Sequence, residues 1–525
     1  MTTDPHIPDL GGPGSEGRPT PERPPEFDAF RPTIETASVE RFKGPLWVLL
    51  LTACAGLFAF AIGYLGYNLD QDTHRIVKLM IVPVLGIVVL IKPEAVLMML
   101  PFTFPYVEWL PKAPIPAVNT LNMIMLSLGL SWVGRTVFQR KLFLEPNPWN
   151  RWLGLFLVWA FITSMVATLV RGGGVPFLGV AIQQFWIGFV GFCLFFVVYN
   201  NIRSMRHIQT LAFLFCLGVG VGSLGLIMES ADYGGGRRVG GGIGDINRAG
   251  SFFAASLLFV IEMFTNGFRR GWQRLFLIGG LIGGAIGVGL PASRGAIVGL
   301  AIGLVPQVLR AGPLRAFVII AFVGVLVTLA PEQVTSRFQS TLDAATSTEG
   351  GGLNESSGNR LDIWETVIGI IQENPILGVG YGRLSGEVNA DIGRMKSGHN
   401  LYLEIAAEQG VPGLFFTVML FLVGLRHSHG LLRFHGFPRA LALGYQSYII
   451  CLMIANIFGV RLLDFSNSGS FALLTALVFR ARQLLENEER DLANSGPQRP
   501  LIGPPEPIRR PLVGPSAARQ SPEPL

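Results

Sequence analysis

Charge is what this chain lacks most. Only 14% of its 525 residues are Asp, Glu, Lys or Arg and half are hydrophobic, whereas soluble domains are about 25% charged. That shortage argues against a soluble globular protein. Cysteine is also scarce. Cys54, Cys193, Cys216 and Cys451 each lie in an apolar run with no paired spacing, which excludes a disulfide framework or thiolate metal site and leaves small buried hydrophobes. No GxxxxGK[ST] phosphate loop is present, and no repeat of fixed period is apparent. Basic residues form no clustered face of the kind nucleic acid requires, so no nucleic-acid partner is expected. The net charge of +6 is then largely a matter of membrane topology.

The chain does have apolar runs of the length that crosses a bilayer, about 17–25 residues. They read as spans near 45–68, 76–91, 94–108, 117–137, 149–170, 176–199, 208–229, 249–266, 272–290, 295–310, 314–330, 400–425, 440–460 and 465–482. The predicted fold is an all-α polytopic membrane protein of about 12–14 transmembrane helices, with a large outer loop carrying an amphipathic helix. With the N-terminus inside, the inner loops GRTVFQRK, NNIRSMRH, NGFRRGWQR, LRAGPLR and RHSHGLLRFHGFPR are each short and basic, as the positive-inside rule requires. Residues 1–44 and 483–525 are rich in Pro and charge and are expected to be disordered cytoplasmic tails. The first apolar run begins near Leu46, so no signal peptide is expected. Between the tails lie a first transmembrane bundle (45–330), an outer loop (331–398) and C-terminal spans (399–482).

Three outer elements are richer in positive charge than the outside rule allows. They are YGGGRRVGGGIGDINRAG with Arg237, Arg238 and Arg248, PASRGA with Arg294, and the loop holding Arg337, Arg360, Arg383, Arg394 and Lys396. Arginine converging on one surface suggests an anionic ligand, because guanidinium forks pair bidentately with phosphate oxygens. Arg294 could equally snorkel to lipid headgroups. Arg237 and Arg238 read as solvated charges of a flexible glycine loop, while Arg248 stands where that loop enters the next span. In NRLDIWETVIGIIQENPILGVGYG, residues Ile363, Trp364, Val367, Ile368 and Ile371 recur at helical spacing until Pro375. This predicts an amphipathic helix on the membrane surface, with Trp364 at headgroup depth and Arg360 at its start.

The tract SGHNLYLEIAAEQGVPGL, residues 397–414, closes the polar loop and opens an apolar helix. His399, Glu404 and Glu408 therefore fall at a membrane–water boundary, where ionisable groups cost free energy and need a reason to be present. His399, Tyr402 and Leu403 are expected to share a helical face, as are Glu404 and Glu408. A histidine beside an arginine-rich loop is a candidate general base. The two glutamates could instead bind a cation or proton, and His399 could be a hydrogen-bonded structural residue.

The combination of SRGA, a long loop with R-x-x-x-W and P-x-x-G-x-G, and then H-N-x-Y-L-x-x-x-x-E-x-G-x-x-G resembles the O-antigen ligase and O-antigen polymerase superfamily. In this chain these are Ser293–Ala296, Arg360–Trp364, Pro375–Gly380 and His399–Gly413. The resemblance implies a glycosyltransferase of the bacterial inner membrane with its active site facing outward. It would take a glycan from undecaprenyl diphosphate and pass it to a lipid-core or glycan acceptor, with no metal, nucleotide sugar or other cofactor. Carried over by motif, Arg294 and Arg360 would hold the diphosphate, assisted by Arg248, and His399 would be the catalytic base. Asn400, Tyr402, Glu404 and Glu408 would support them. Membrane lipids and other envelope polysaccharide export proteins are the further expected partners. The rival classes are a transporter for inorganic carbon or another small solute, and a non-catalytic export scaffold.

Overall fold

The computed structural model describes residues 93–109, 120–138, 144–171, 178–234, 237–314, 360–392 and 398–494, with a few positions between 316 and 324. The chain divides into units 1–53 and 54–525, and every described residue belongs to the second. The spans expected at 45–68 and 76–91, most of 314–330, the N-terminal tail, residues 495–525 of the C-terminal tail, and Arg337, Arg394 and Lys396 lie outside the described residues, as does Cys54.

Among the described residues there is no strand. The helices are α1 (Pro93–Thr103), α2 (Thr120–Phe138), α3 (Pro148–Arg171), α4 (Leu178–Asn201), α5 (Met205–Asp232), α6 (Ile246–Glu262), α7 (Gly271–Gly289), α8 (Arg294–Arg310), α9 (Arg360–Glu373), α10 (Leu384–Ile392), α11 (Leu401–His429), α12 (Phe437–Ala455) and α13 (Phe465–Asn494). Among the described residues, seven stretches are long and apolar enough to cross a membrane: Pro148–Val170, Leu178–Asn201, Met205–Asp232, Ile246–Gly267, Gly271–Gly289, Leu401–Arg433 and Phe437–Phe458. The protein is an all-α, multi-pass membrane protein.

Two expected elements differ. The run 94–108 is not one span: α1 holds 11 residues and gives way to a 3₁₀ turn at Phe104–Tyr106. Pro101 and Pro105 break the regular ladder, and a helix of that length reaches only ~16 Å against a hydrocarbon core of about 30 Å. At the other end, α13 continues past 482 to Asn494. Its polar end is held by Arg482 on Glu486 at 2.6 Å and by Arg433 on Glu489 at 2.6 Å.

Helix association without water needs close backbone approach rather than hydrophobic drive. Accordingly α8 meets α12 through Gly299, where a β-carbon would stand 2.7 Å from the Cys451 carbonyl oxygen. Helix α5 meets α7 where Gly280 faces the Cys216 carbonyl at the same separation, 2.7 Å. Indole N–H groups join α3 to α11: Trp149 donates to the Leu420 carbonyl at 3.0 Å and Trp159 to that of Gln409 at 2.8 Å. Cys216 and Cys451 are buried and Cys193 half-buried, all three as free thiols.

Helix α9 is amphipathic, as its spacing predicts, but its apolar face meets protein rather than lipid. Ile363, Val367 and Ile370 pack with Val379, Leu384, Val388 and Ala407 in a small second core, while Ile368 remains exposed. The indole of Trp364 donates to the Gly398 carbonyl at 3.0 Å, so a backbone acceptor holds its ring.

Candidate functional site

The starts of α6, α8, α9 and α11 and the turn before α13 converge at one end of the bundle. The described glycine-rich residues just before α6 are tied to neighbouring groups. The Glu229 carboxylate accepts the N–H groups of Gly240 (3.1 Å) and Gly241 (2.5 Å), and Gly241–Ile243 forms a 3₁₀ turn. Asp245 caps α6 by accepting from Asn247 N–H at 2.9 Å and Arg248 N–H at 2.7 Å. Asp245 thus fixes the backbone from which the Arg248 side chain departs.

Arg237 is exposed and lies over the Tyr233 ring at 4.9 Å. Arg238 is not a solvated loop charge. It donates through Nε to the Pro291 carbonyl at 2.6 Å and through Nη2 to Asn247 Oδ1 at 3.4 Å. Ser293 Oγ donates to the same Asn247 oxygen at 3.2 Å. Asn247 therefore ties the entry of α8, with Arg294 at its first position, to the entry of α6.

Arg294 and Arg360 lie within electrostatic reach of each other. Burial, and secondarily the charge of Arg294, hold the Arg360 guanidinium below its ordinary pKa. Beside them, Asn456 Oδ1 accepts from Arg461 N–H at 2.9 Å and Leu462 N–H at 3.0 Å, organising the turn before α13. That turn delivers Arg461, whose Nη1 stands 3.9 Å from Asp245, and Asp464, whose carboxylate lies 3.8 Å from Arg248 Nη1. Burial pushes Arg461 down to about 10. Asp245 opposes this shift, and Arg360, Arg248 and Arg238 add to it. Burial raises Asp464 to about 6 despite Arg248, which sits beyond hydrogen-bonding distance.

The P-x-x-G-x-G loop and the E-x-G tract form one interlocked unit. Helix α11 opens at Gly410, which takes φ 69° and ψ 179°. Pro412 has no N–H to give the Glu408 carbonyl, and Val411 N–H is diverted to the Pro375 carbonyl at 2.8 Å. The two carbonyls so released accept instead from the loop, Ala407 from Val379 N–H at 2.8 Å and Glu408 from Gly380 N–H at 2.9 Å. The Glu408 carboxylate takes the N–H groups of Gly382 (2.9 Å) and Leu384 (3.4 Å). Between Gly380 and Gly382, Tyr381 packs on Phe189, and its hydroxyl is raised in pKa by burial, then by Glu408 and Glu404.

His399 is not on the face of α11. The helix begins at Leu401 because the Asn400 side chain caps Tyr402 N–H at 2.9 Å and Leu403 N–H at 3.3 Å. His399 precedes the cap with φ 48°, and Ala292, two residues before Arg294, has φ 47°. Among the described residues these are the non-glycine positions with positive φ. Each costs on the order of 1–3 kcal/mol, and such strain concentrates at functional sites. Gly398, beside His399, is pinned twice: its N–H donates to the Glu404 carboxylate at 2.9 Å and its carbonyl accepts from Trp364. Glu404 in turn lies within electrostatic reach of Arg248. The Tyr402 hydroxyl is turned to the Met453 carbonyl of α12 at 2.9 Å.

The fold thus gathers Arg248, Arg294 and Arg360, and links them to His399 through Glu404 and Trp364. Arg461 and Asn247 belong to the same cluster. Neither stands out in sequence, because Arg461 lies between two apolar runs and Asn247 is one polar residue in a glycine-rich segment. In a comparison with known proteins, residues 278–418 fit the family model described as O-antigen ligase. That stretch holds Arg294, Arg360, His399, Glu404 and Glu408, and leaves out Arg248 and Arg461. No curated protein gives a significant match.

Proposed function

From the match of residues 278–418 to the O-antigen ligase family model, we propose that this protein moves a glycan from a polyprenyl diphosphate, of the undecaprenyl type, to a sugar hydroxyl. One observation carries this reading: Arg248, Arg294 and Arg360 converge at one end of the bundle, with Asp464 no closer than 3.8 Å to Arg248, next to a histidine held in a strained backbone conformation. Guanidinium groups gathered in this way attract an anion, and a diphosphate matches their fork geometry.

The chemistry follows. The acceptor oxygen attacks the anomeric carbon, and the C1–O bond to phosphate breaks with its electron pair leaving on the diphosphate. Pre-placed Arg248, Arg294 and Arg360 stabilise that growing charge, the kind of term that dominates many enzymatic rate enhancements. His399 takes the acceptor proton, a role suited to an imidazole whose ordinary pKa is near 6.5. A single displacement inverts the anomeric centre. Holding His399 one residue before the α11 cap, between two anchored neighbours, limits its motion during the transfer.

The site end is assigned to the outside of the bacterial inner membrane. The opposite ends of the helices carry Arg203 and Arg206 between α4 and α5, and Arg269 and Arg270 between α6 and α7. The positive-inside rule puts such short basic connections in the cytoplasm. The test uses membranes from cells expressing full-length variants, supplied with lipid-linked glycan. Arg294→Ala and His399→Ala are each expected to cut transfer by about 10²-fold or more. Wild-type rates in both, or solute uptake in proteoliposomes with unchanged glycan length, would overturn the reading. Deletion followed by glycan gels separates the two types. Loss of all long chains on the lipid core marks a ligase, and collapse to single repeat units marks a polymerase.

A further inference from the structure

Among the arginines of the site end, Arg461 is unlike the rest. Its side chain is only 8% exposed, against 42% for Arg248. A buried guanidinium needs its five N–H groups satisfied, yet Nε has no partner. Nη2 donates to the Phe458 carbonyl at 3.1 Å, and Nη1 faces Asp245 at 3.9 Å, beyond hydrogen-bonding range. Arg360, Arg248 and Arg238 all press their charge on it. The arrangement is also built rather than incidental. Asn456 fixes the backbone of the turn, and Gly459 leaves room for the guanidinium, whose Cζ would lie 2.6 Å from a β-carbon there.

We propose that Arg461 is a further anion-contacting residue of this site, turning its unsatisfied Nε edge to a phosphate oxygen of the donor diphosphate. The proposal rests on the diphosphate reading above and adds to it a residue outside the family-matched stretch. A buried, under-satisfied cation among other cations is destabilised in the empty site and relieved when an anion binds, so part of the binding free energy arises there. A purely structural Arg461 would already have its donors paired.

The experiment uses the full-length protein in detergent with inorganic pyrophosphate as the probe, and chloride at matched ionic strength as the blank. Thermal shift gives the apparent Kd. Wild type is expected to be stabilised by pyrophosphate and Arg294→Ala to lose that response. Arg461→Gln should weaken binding by about tenfold to a hundredfold, the worth of one charge-assisted hydrogen bond. Arg461→Lys should fall between, and Arg433→Gln, on the Glu489 pair, should bind as wild type. Gly459→Ala moves the guanidinium without changing its charge and should weaken pyrophosphate binding too. It decides the question together with Arg461→Lys should Arg461→Gln not fold. If Arg294→Ala loses the response while the Arg461 and Gly459 variants keep wild-type affinity, the Arg461 assignment falls and the diphosphate reading stands. If wild type itself gains nothing from pyrophosphate, both fall.

Discussion

A β-carbon on Gly410 would stand 2.0 Å from the carbonyl oxygen of Ile376. That contact is where the P-x-x-G-x-G loop enters the opened turn of α11, and it makes two separated motifs one structural unit.

Gly410 should therefore tolerate no side chain. Its φ of 69° with ψ of 179° is open in practice to glycine alone. Gly410→Ala is expected to lower stability by about 3 kcal/mol or more, from strain plus clash. Gly369→Ala, in α9 with nothing within 4 Å of the new carbon, should be neutral or add up to about 1 kcal/mol. Melting temperatures of the two purified variants check this, and equal shifts would refute it.

Glu408 separates hydrogen bonding from charge. Its carboxylate holds Gly382 and Leu384 N–H while buried in α11. Glu408→Gln keeps an acceptor and should cost little. Glu408→Ala strands both donors and should cost about 1–3 kcal/mol for each. Limited proteolysis between residues 375 and 392 should speed up in the Ala variant alone.

Asn400→Ala removes the α11 cap, for about 1 kcal/mol of stability. Because the same cap sets the backbone that follows His399, transfer activity should fall by more than the small stability loss accounts for. A kcat reduced at unchanged KM would mark misplacement of the histidine. Unaltered kcat would show that Gly398 alone positions it.

The pH dependence of stability should report Asp464. Its folded pKa of about 6 stands above an unfolded value near 3.9, so the folded state holds the proton more tightly. Between those values the unfolded chain binds fewer protons, and stability declines as pH rises from about 4 to about 6, by about 3 kcal/mol in all. Asp464→Asn should flatten that part of the profile. An unchanged slope would assign it to another group.

Glycine, proline and histidine show where sequence and structure part. Hydropathy places the starts of all seven span-length stretches within three residues, from Pro148 to Phe437, because bilayer thickness fixes helix length. The arginines of SRGA and R-x-x-x-W and the histidine of the H-N motif are also legible, since they occur where an apolar run meets a polar one. Periodicity gives the apolar stripe of α9 but not its partner, and the stripe meets Val379, Leu384 and Ala407 rather than lipid. Spacing rules likewise carry His399 onto a helix that Asn400 in fact starts after it.

What the sequence by itself determined is the membrane-spanning class and the residue types available for an anion. Both follow from local quantities, namely the length of apolar runs and the cost of charge at their ends. Only tertiary structure decided that Arg461 joins Arg248 and Arg360, that Arg238 is tied to Pro291, and that Gly410 opens α11 for the loop. Those outcomes depend on which backbone groups are left unsatisfied when helices meet. A carbonyl orphaned by Pro412 finds its partner 28 residues back in the chain, at Gly380, and no local pattern records that pairing.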